Sequence, residues 1–220
     1  MALTTLTNIS VPTGGAGTNS GLLMPKLTYR FRVLFDGFGS TDQGDGTQEL
    51  TRQIVDVTRP TVSFEQMTID AYNSRTYLAG KHNWEPITIT IREDMESRVQ
   101  KMVGEQLQKQ FDFYEQSSAI SGGVYKFSTV IEILDGGNGN NMAATDTGNV
   151  LDQYKLVGCY LENVAYNQLA YATSDQVNIT LQIRYDNAIQ YGAGATTITG
   201  VGANIGRADE GAPGGTQVTG

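Results

Sequence analysis

His82 and Trp84 are the only His and the only Trp of the chain, two residues apart in SFEQMTIDAYNSRTYLAGKHNWEPITITIRED, residues 63–94. A His in a polar stretch between two strand-like patterns is where a hydrolase would keep a general base. That chemistry also needs a nucleophile, and no Ser of this chain stands in a nucleophile-elbow sequence. Carboxylates offer a second chemistry, the acid pair of a glycosidase. The candidates Glu65, Asp70, Glu85, Asp94, Glu132 and Glu162 fall at strand ends or on polar faces, where a solvated carboxylate is the ordinary case. The Gly-rich stretches GGAG and DGGNG lack the strand, glycines, helix order of a phosphate cradle, and no Lys follows them at the right place. Cys159 is the only cysteine, which rules out an intrachain disulfide and a thiolate zinc cluster. Its setting, YKLVGCYLENV, suits a small buried apolar side chain. These residues predict no enzyme, no cofactor and no metal site.

The elements that would have to position such residues read mostly as strands. The first is LTYRFRVLF, in which Leu27, Tyr29, Phe31, Val33 and Phe35 alternate with polar residues. QIVDVT and TVSFEQMTI flank Arg59-Pro60, where the Pro should mark a turn or an edge. In PITITIRED, Ile87, Ile89 and Ile91 make one face and Thr88, Thr90 and Arg92 the other. From about 94 to 118 the period changes, with Met95, Val99, Met102, Val103, Leu107, Phe111 and Tyr114 on one stripe and Asp94 placed to cap the start. This predicts one helix, ended by SGG. VYKFSTVIEIL, YKLVGCYLENVAYN and VNITLQIRYDN are the remaining strands, and DGFGSTDQGDGTQE and DGGNGNNMAATDTGN are long loops. Residues 1–24 and 188–220, rich in Gly, Thr and Ser, read as extended arms around one body at 25–187.

Composition narrows the function. The net charge of −8, from 15 Lys and Arg against 23 Asp and Glu, disfavours a surface that grips phosphates. No apolar run approaches the length of a membrane span, and the amino terminus lacks signal-peptide features, so the chain is expected to be made and kept in a cytoplasm. The polar strand residues Thr88, Thr90, Asn178, Thr180 and Gln182 are neutral, whereas exposed strands are commonly guarded by Lys. A plain solvated sheet fits this, and so do edges meant to pair with copies of the same chain. Ordering two arms costs roughly 1–2 kcal/mol per residue. Extensive contacts, of the order of 2,000 Å² in obligate interfaces, would offset that cost.

YRFRVLFDGF, VTRPTVSFEQMTIDAYNSRTYLAGKHNWEPITITIRED, VQKMVGEQLQKQFDFY, YKFSTVIEILDGGNG and YKLVGCYLENVAYNQLAYATSDQVNITLQIRYDN, in this order over residues 27–187, resemble the tail tube proteins of contractile-tailed bacteriophages, a family related to type VI secretion tube proteins. The most specific parts are YNSRTYLAGKHNWEPITIT and the closing GCYLENVAY and SDQVNITLQIRYDN. The resemblance implies a mainly β fold, an antiparallel β-sandwich or barrel with one flanking helix. It also implies hexameric rings whose inner sheets close into one shared barrel, stacked as a hollow tube inside a contractile sheath. The partners it implies are further copies of the chain, the tail sheath protein, baseplate or initiator proteins and a tail terminator. The implied location is a virion tail assembled in the host bacterial cytoplasm, with phage DNA passing through without tight binding.

By position, Tyr72 to Trp84 resembles the family's loop between the third and fourth strands, which reaches a neighbouring subunit or ring. Tyr72, Arg75, Tyr77, Lys81, His82 and Trp84 would then be contact residues; the alternative is that Trp84 and Tyr77 cover their own subunit's core. Thr88, Thr90, Thr180 and Gln182 are expected on the channel lining, which is read as neutral to negative because a basic wall would hold DNA. Three other classes remain open at this level. They are a tube of a phage-like protein injection or type VI secretion device, a surface β-sandwich binding module, and a carboxylate hydrolase, which would need a pocket with two close carboxylates.

Overall fold

Three Ile residues at every second position of PITITIR can bury one face of a strand only if a second apolar layer covers them. In the computed structural model, which describes residues 26–39, 50–134, 150–172, 174–192, 198 and 201–202, that layer comes from both strands and a helix. The chain divides into two units, Met1–Arg30 and Phe31–Gly220. In the first, Arg30 N–H donates to Leu27 O at 3.2 Å in a turn. Residues 27–30 are therefore not strand as LTYRFRVLF suggested.

The second unit runs β1 (Phe31–Asp36), β2 (Ile54–Val57), β3 (Thr61–Ala71), β4 (Ser74–Glu85), β5 (Ile87–Arg92), α1 (Arg98–Gln110), β6 (Phe111–Asp112), β7 (Ser117–Ser118), α2 (Gly122–Tyr125), β8 (Phe127–Leu134), β9 (Val150–Tyr166), β10 (Asn178–Arg184) and β11 (Asn187–Tyr191). The main sheet has the order β1-β8-β9-β10-β5-β2, with β11 also on β9, and every pairing is antiparallel. The result is the expected mainly β, antiparallel sandwich with a flanking helix. β2 and β3 are separated at Thr58–Pro60, where the Pro was expected to break the ladder.

β9 belongs to both halves of this sheet. Its first part pairs with β8 and β11, and its second part, from Tyr160, pairs with β10. Between the two lies Gly158 at φ +72°, a conformation that L side chains rarely adopt. Asp186, at the joint of β10 and β11, donates its N–H to Val157 O at 3.0 Å, and its carboxylate folds over the glycine. Lys126 Nζ meets that carboxylate at 2.5 Å.

One core fills the space between the halves. Ile87, Ile89, Ile91, Ile179, Leu181 and Ile183 enter it from β5 and β10, Val33, Phe35, Ile131 and Leu156 from β1, β8 and β9, and Val99, Met102 and Val103 from α1. The helix starts later than expected, at Arg98, with Ser97 in the cap position making no side-chain bond. Asp94 serves from further back, its Oδ1 accepting from the N–H groups of Arg98 at 2.9 Å and Val99 at 3.4 Å. The helix is thus shorter than the expected 94–118. Phe111 turns extended, and Asp112 Oδ1 accepts from the N–H groups of Tyr114 and Glu115, closing a turn between β6 and β7. Ser121-Gly122-Gly123 opens α2 instead of ending α1. At the other end the body extends past 187, because β11 places Ala188 in the core and Tyr191 bridges to Ile198. Residues 1–24, the two long loops over 40–49 and 135–149, and most of 193–220 lie outside the described residues.

Across β1 and β8, Arg32 faces Glu132 and binds it through Nη2 at 2.6 Å and Nε at 2.7 Å. Glu132 is only 5% exposed, so this pair is largely out of water.

Candidate functional site: a polar sheet face, its edges and a long hairpin

The strand alternation that buries the Ile and Leu residues of β5 and β10 turns the intervening residues to the opposite face. The register then decides which of them meet. Thr88 lies opposite Gln182 and Thr90 opposite Thr180, so the four residues form one cross-strand block. Asp56 of β2 extends it beside Thr90, and Arg92 sits opposite Asn178. Arg184 reaches Glu162 of β9 at 3.3 Å and donates to Trp84 O at 3.3 Å. The face thus combines hydroxyls and amides with two Arg and two acids, giving no net charge from these residues.

This four-stranded half, β9-β10-β5-β2, ends in two strand edges. Among the described residues, β2 pairs only with β5, and the part of β9 beyond Cys159 pairs only with β10. The side-chain amide of Gln110, the last residue of α1, occupies the β9 edge at one point. Its Oε1 accepts from Leu161 N–H at 2.8 Å and its Nε2 donates to Leu161 O at 3.0 Å. An amide that satisfies both main-chain groups of one residue imitates a neighbouring strand. Glu162–Tyr166 beyond it have no strand partner on that side among the described residues.

The segment compared above with a loop is mostly strand. β3 and β4 form a hairpin whose turn is Tyr72-Asn73, with Tyr72 at φ 50° and fully exposed. A two-residue connection of this kind asks for positive φ, which Asn or Gly supplies more readily than Tyr. Gly80 allows the irregularity between Phe64 and Gln66, since a Cβ there would come within 2.9 Å of Glu65 O. At the tip, Arg75 binds Asp70 at 2.6 Å, and Asp70, followed by Tyr77, raises the pKa of the guanidinium.

Toward the base, Trp84 is buried, packed on Tyr185 with ring centroids 5.6 Å apart. His82 stands between Trp84 at 6.4 Å and Phe64 at 6.5 Å. Trp84 therefore belongs to the core, whereas Tyr72, Arg75, Tyr77, Lys81 and His82 are exposed on the hairpin. Sequence reasoning passed over Phe64, Met67, Ile69 and Leu78, which the hairpin also exposes, with Met67 opposite Leu78. The alternation of Met67 and Ile69 was the available signal.

Among the described residues, no group of three His, Cys, Asp or Glu converges as a metal site would require. A cavity of about 1040 Å³ formed by the loop over 167–178 carries a single lining carboxylate, Asp175. No described helix is long and apolar enough to cross a membrane.

These features define a class: an antiparallel sandwich with one long shared strand, a flanking helix, two strand edges at the ends of one half and a projecting hairpin. No protein-family model matches the sequence, and no curated protein matches it. Solved structures do share the fold. The sheath-tube complex of an extracellular contractile injection system in its extended state contains a chain of TM-score 0.52 at 14% identity, covering 76% of this chain and 92% of that one. The tube-terminating cap of the anti-feeding prophage gives 0.54 at 12% identity, covering 84% and 100%. The baseplate of the anti-feeding prophage gives 0.50 at 14% identity, covering 78% and 98%. The fold is thus one found in contractile injection assemblies.

Proposed function

We propose that this chain is the structural subunit of a tube in a contractile injection assembly. Copies join through the strand edges of β9-β10-β5-β2 into hexameric rings around the polar face, and rings stack through the β3–β4 hairpin into a hollow conduit within a sheath, between a baseplate and a terminator. The observation that carries this reading is the coincidence of three things on one half-sheet: open edges at both ends, a hydroxyl and amide face, and the register that sets Thr88, Thr90, Thr180 and Gln182 side by side. Closure into a barrel removes open edges, which accounts for the scarcity of guarding lysines.

The charge of the polar face supports a reading of the cargo. Duplex DNA carries one charge per about 1.7 Å of axis, and a face with two Arg balanced by two acids gives it no net attraction. DNA passing from a phage tail without being gripped fits this lining. The tube of a phage-like protein injection or type VI secretion device is the second reading, supported by the fold shared with injection-system chains. Electron microscopy of the purified protein tests the proposal. Hollow tubes of stacked rings are expected, with Thr88, Thr90, Thr180 and Gln182 on the channel wall. Particles that remain monomeric even on a preformed tube end, or a channel lined by net positive charge, overturn it.

A further inference from the structure

The ring reading leaves open how one copy finds its register on the next, and the side chain at the end of α1 bears on this. We infer that Gln110 is a register stop: it occupies the Leu161 position on the β9 edge, so that the β2 strand of a second copy pairs only with Glu162–Tyr166. The inference rests on the ring reading and adds the residue that sets its geometry.

Strand polarity supports the choice of partner. From β9 through β10 and β5 to β2 there are three antiparallel steps, so β2 runs opposite to β9. A copy related by rotation about the ring axis presents its β9 in the original direction, and β2 of the first copy meets it antiparallel. Length supports it as well. β2 has four residues, Ile54–Val57, and the edge left beyond Leu161 has five. Both main-chain groups of Leu161 are already taken by the Gln110 amide, and an incoming strand must displace two hydrogen bonds to advance past it.

The stop matters because a slip by one residue would turn the polar residues of the added sheet into the core and its apolar residues onto the channel, which burial forbids. A slip by two residues keeps the faces correct and is therefore the error that needs a separate barrier. It shifts the neighbour by roughly 7 Å along the strand, enough to convert a flat ring into a split, spiral one.

The test uses the full chain and its Gln110→Ala and Gln110→Glu variants. In the unassembled protein, hydrogen exchange at the Leu161 amide should be roughly five- to tenfold faster in Q110A, with Q110E intermediate because its carboxylate still accepts from that amide. In assembled material, image reconstruction should show flat rings for the parent, with Gln110 still on Leu161, and open or split rings for Q110A. Unchanged exchange in Q110A overturns the contact itself. Flat parent-like rings from Q110A, or a parent ring in which the neighbour's strand is bonded to Leu161 and Gln110 is swung away, overturn the register role. A parent that never forms rings overturns the ring reading and the register role with it, whereas the exchange result separately decides whether the contact exists.

Discussion

Replacing Gly158 by Ala probes the corner at which β9 passes from one half of the sheet to the other. The new Cβ would stand 2.1 Å from Asp186 Oδ2, 2.7 Å from its Cγ and 3.1 Å from its Cβ. Oδ2 and Cγ can swing aside by rotation of the exposed side chain, whereas Cβ is held by the backbone and its 3.1 Å contact stays tight. Swinging aside breaks the ion pair with Lys126, whose partners are 32% and 59% exposed, and an exposed pair contributes at most about 1 kcal/mol. The backbone cannot swing aside: a non-Gly residue at φ +72° costs about 1–2 kcal/mol. The backbone term therefore dominates, and the total is about 1–3 kcal/mol. For a chain of this size that lowers Tm by roughly 2–12 °C, measurable by thermal unfolding followed by circular dichroism. Adding Asp186→Ala should recover little, because it relieves the contact but removes the same ion pair and leaves the backbone term in place. A Tm for G158A within about 1 °C of the parent, or full recovery in the double variant, would refute the reasoning.

Two further outcomes are expected. Arg32→Ala leaves the buried Glu132 carboxylate without its partner and should destabilise by about 2–4 kcal/mol, whereas Arg32→Leu combined with Glu132→Leu should recover most of it; chemical denaturation of the three proteins decides, and equal losses in the single and double variants would contradict it. Alkaline pH should also weaken the fold. Burial raises the Cys159 thiol to about 11 from 9.0, and the Tyr185 hydroxyl, again mainly through burial, to about 12 from 10.0. Both groups are neutral when protonated and hold their protons more tightly in the folded state, so the stability they add is complete below about pH 9 and disappears as pH rises through about 11 to 12. A denaturation midpoint that stays flat to about pH 11, or alkylation of Cys159 at about pH 8 without unfolding, would count against this.

The strands that bury one face were legible because burial writes a period of two into the sequence: Ile87, Ile89 and Ile91 could hardly be anything else. α1 was legible for the same reason at its own period, and Asp94 pointed to its start from further back. What misled was the far end, where Phe111 and Tyr114 continued the helical spacing by chance after Asp112 had already turned the chain. β4 is the part of the hairpin that reads as a polar loop over 72–84, because it is exposed over most of its length and no buried face imposes an alternation on it. Trp84 drew attention as a contact residue by its type, yet its position near the hairpin base places it in the core. Gln110 left no trace at all. A polar residue in the last turn of an amphipathic helix is ordinary, and only the geometry reveals that its amide faces the main chain of Leu161.

The unbroken path of β9 through both halves also governs how the molecule would bear force. In most two-layer β structures the layers meet only through side chains, and shear between them is resisted by packing alone. Here a 17-residue strand is common to both, so tension applied to the half carrying Thr88 and Gln182 travels along covalent bonds into the half carrying Arg32 and Glu132. Sliding one layer off the other would require stripping β9 from β8 or from β10, a row of hydrogen bonds at a time. In the proposed tube, a wall of such units would yield first at the contacts between copies.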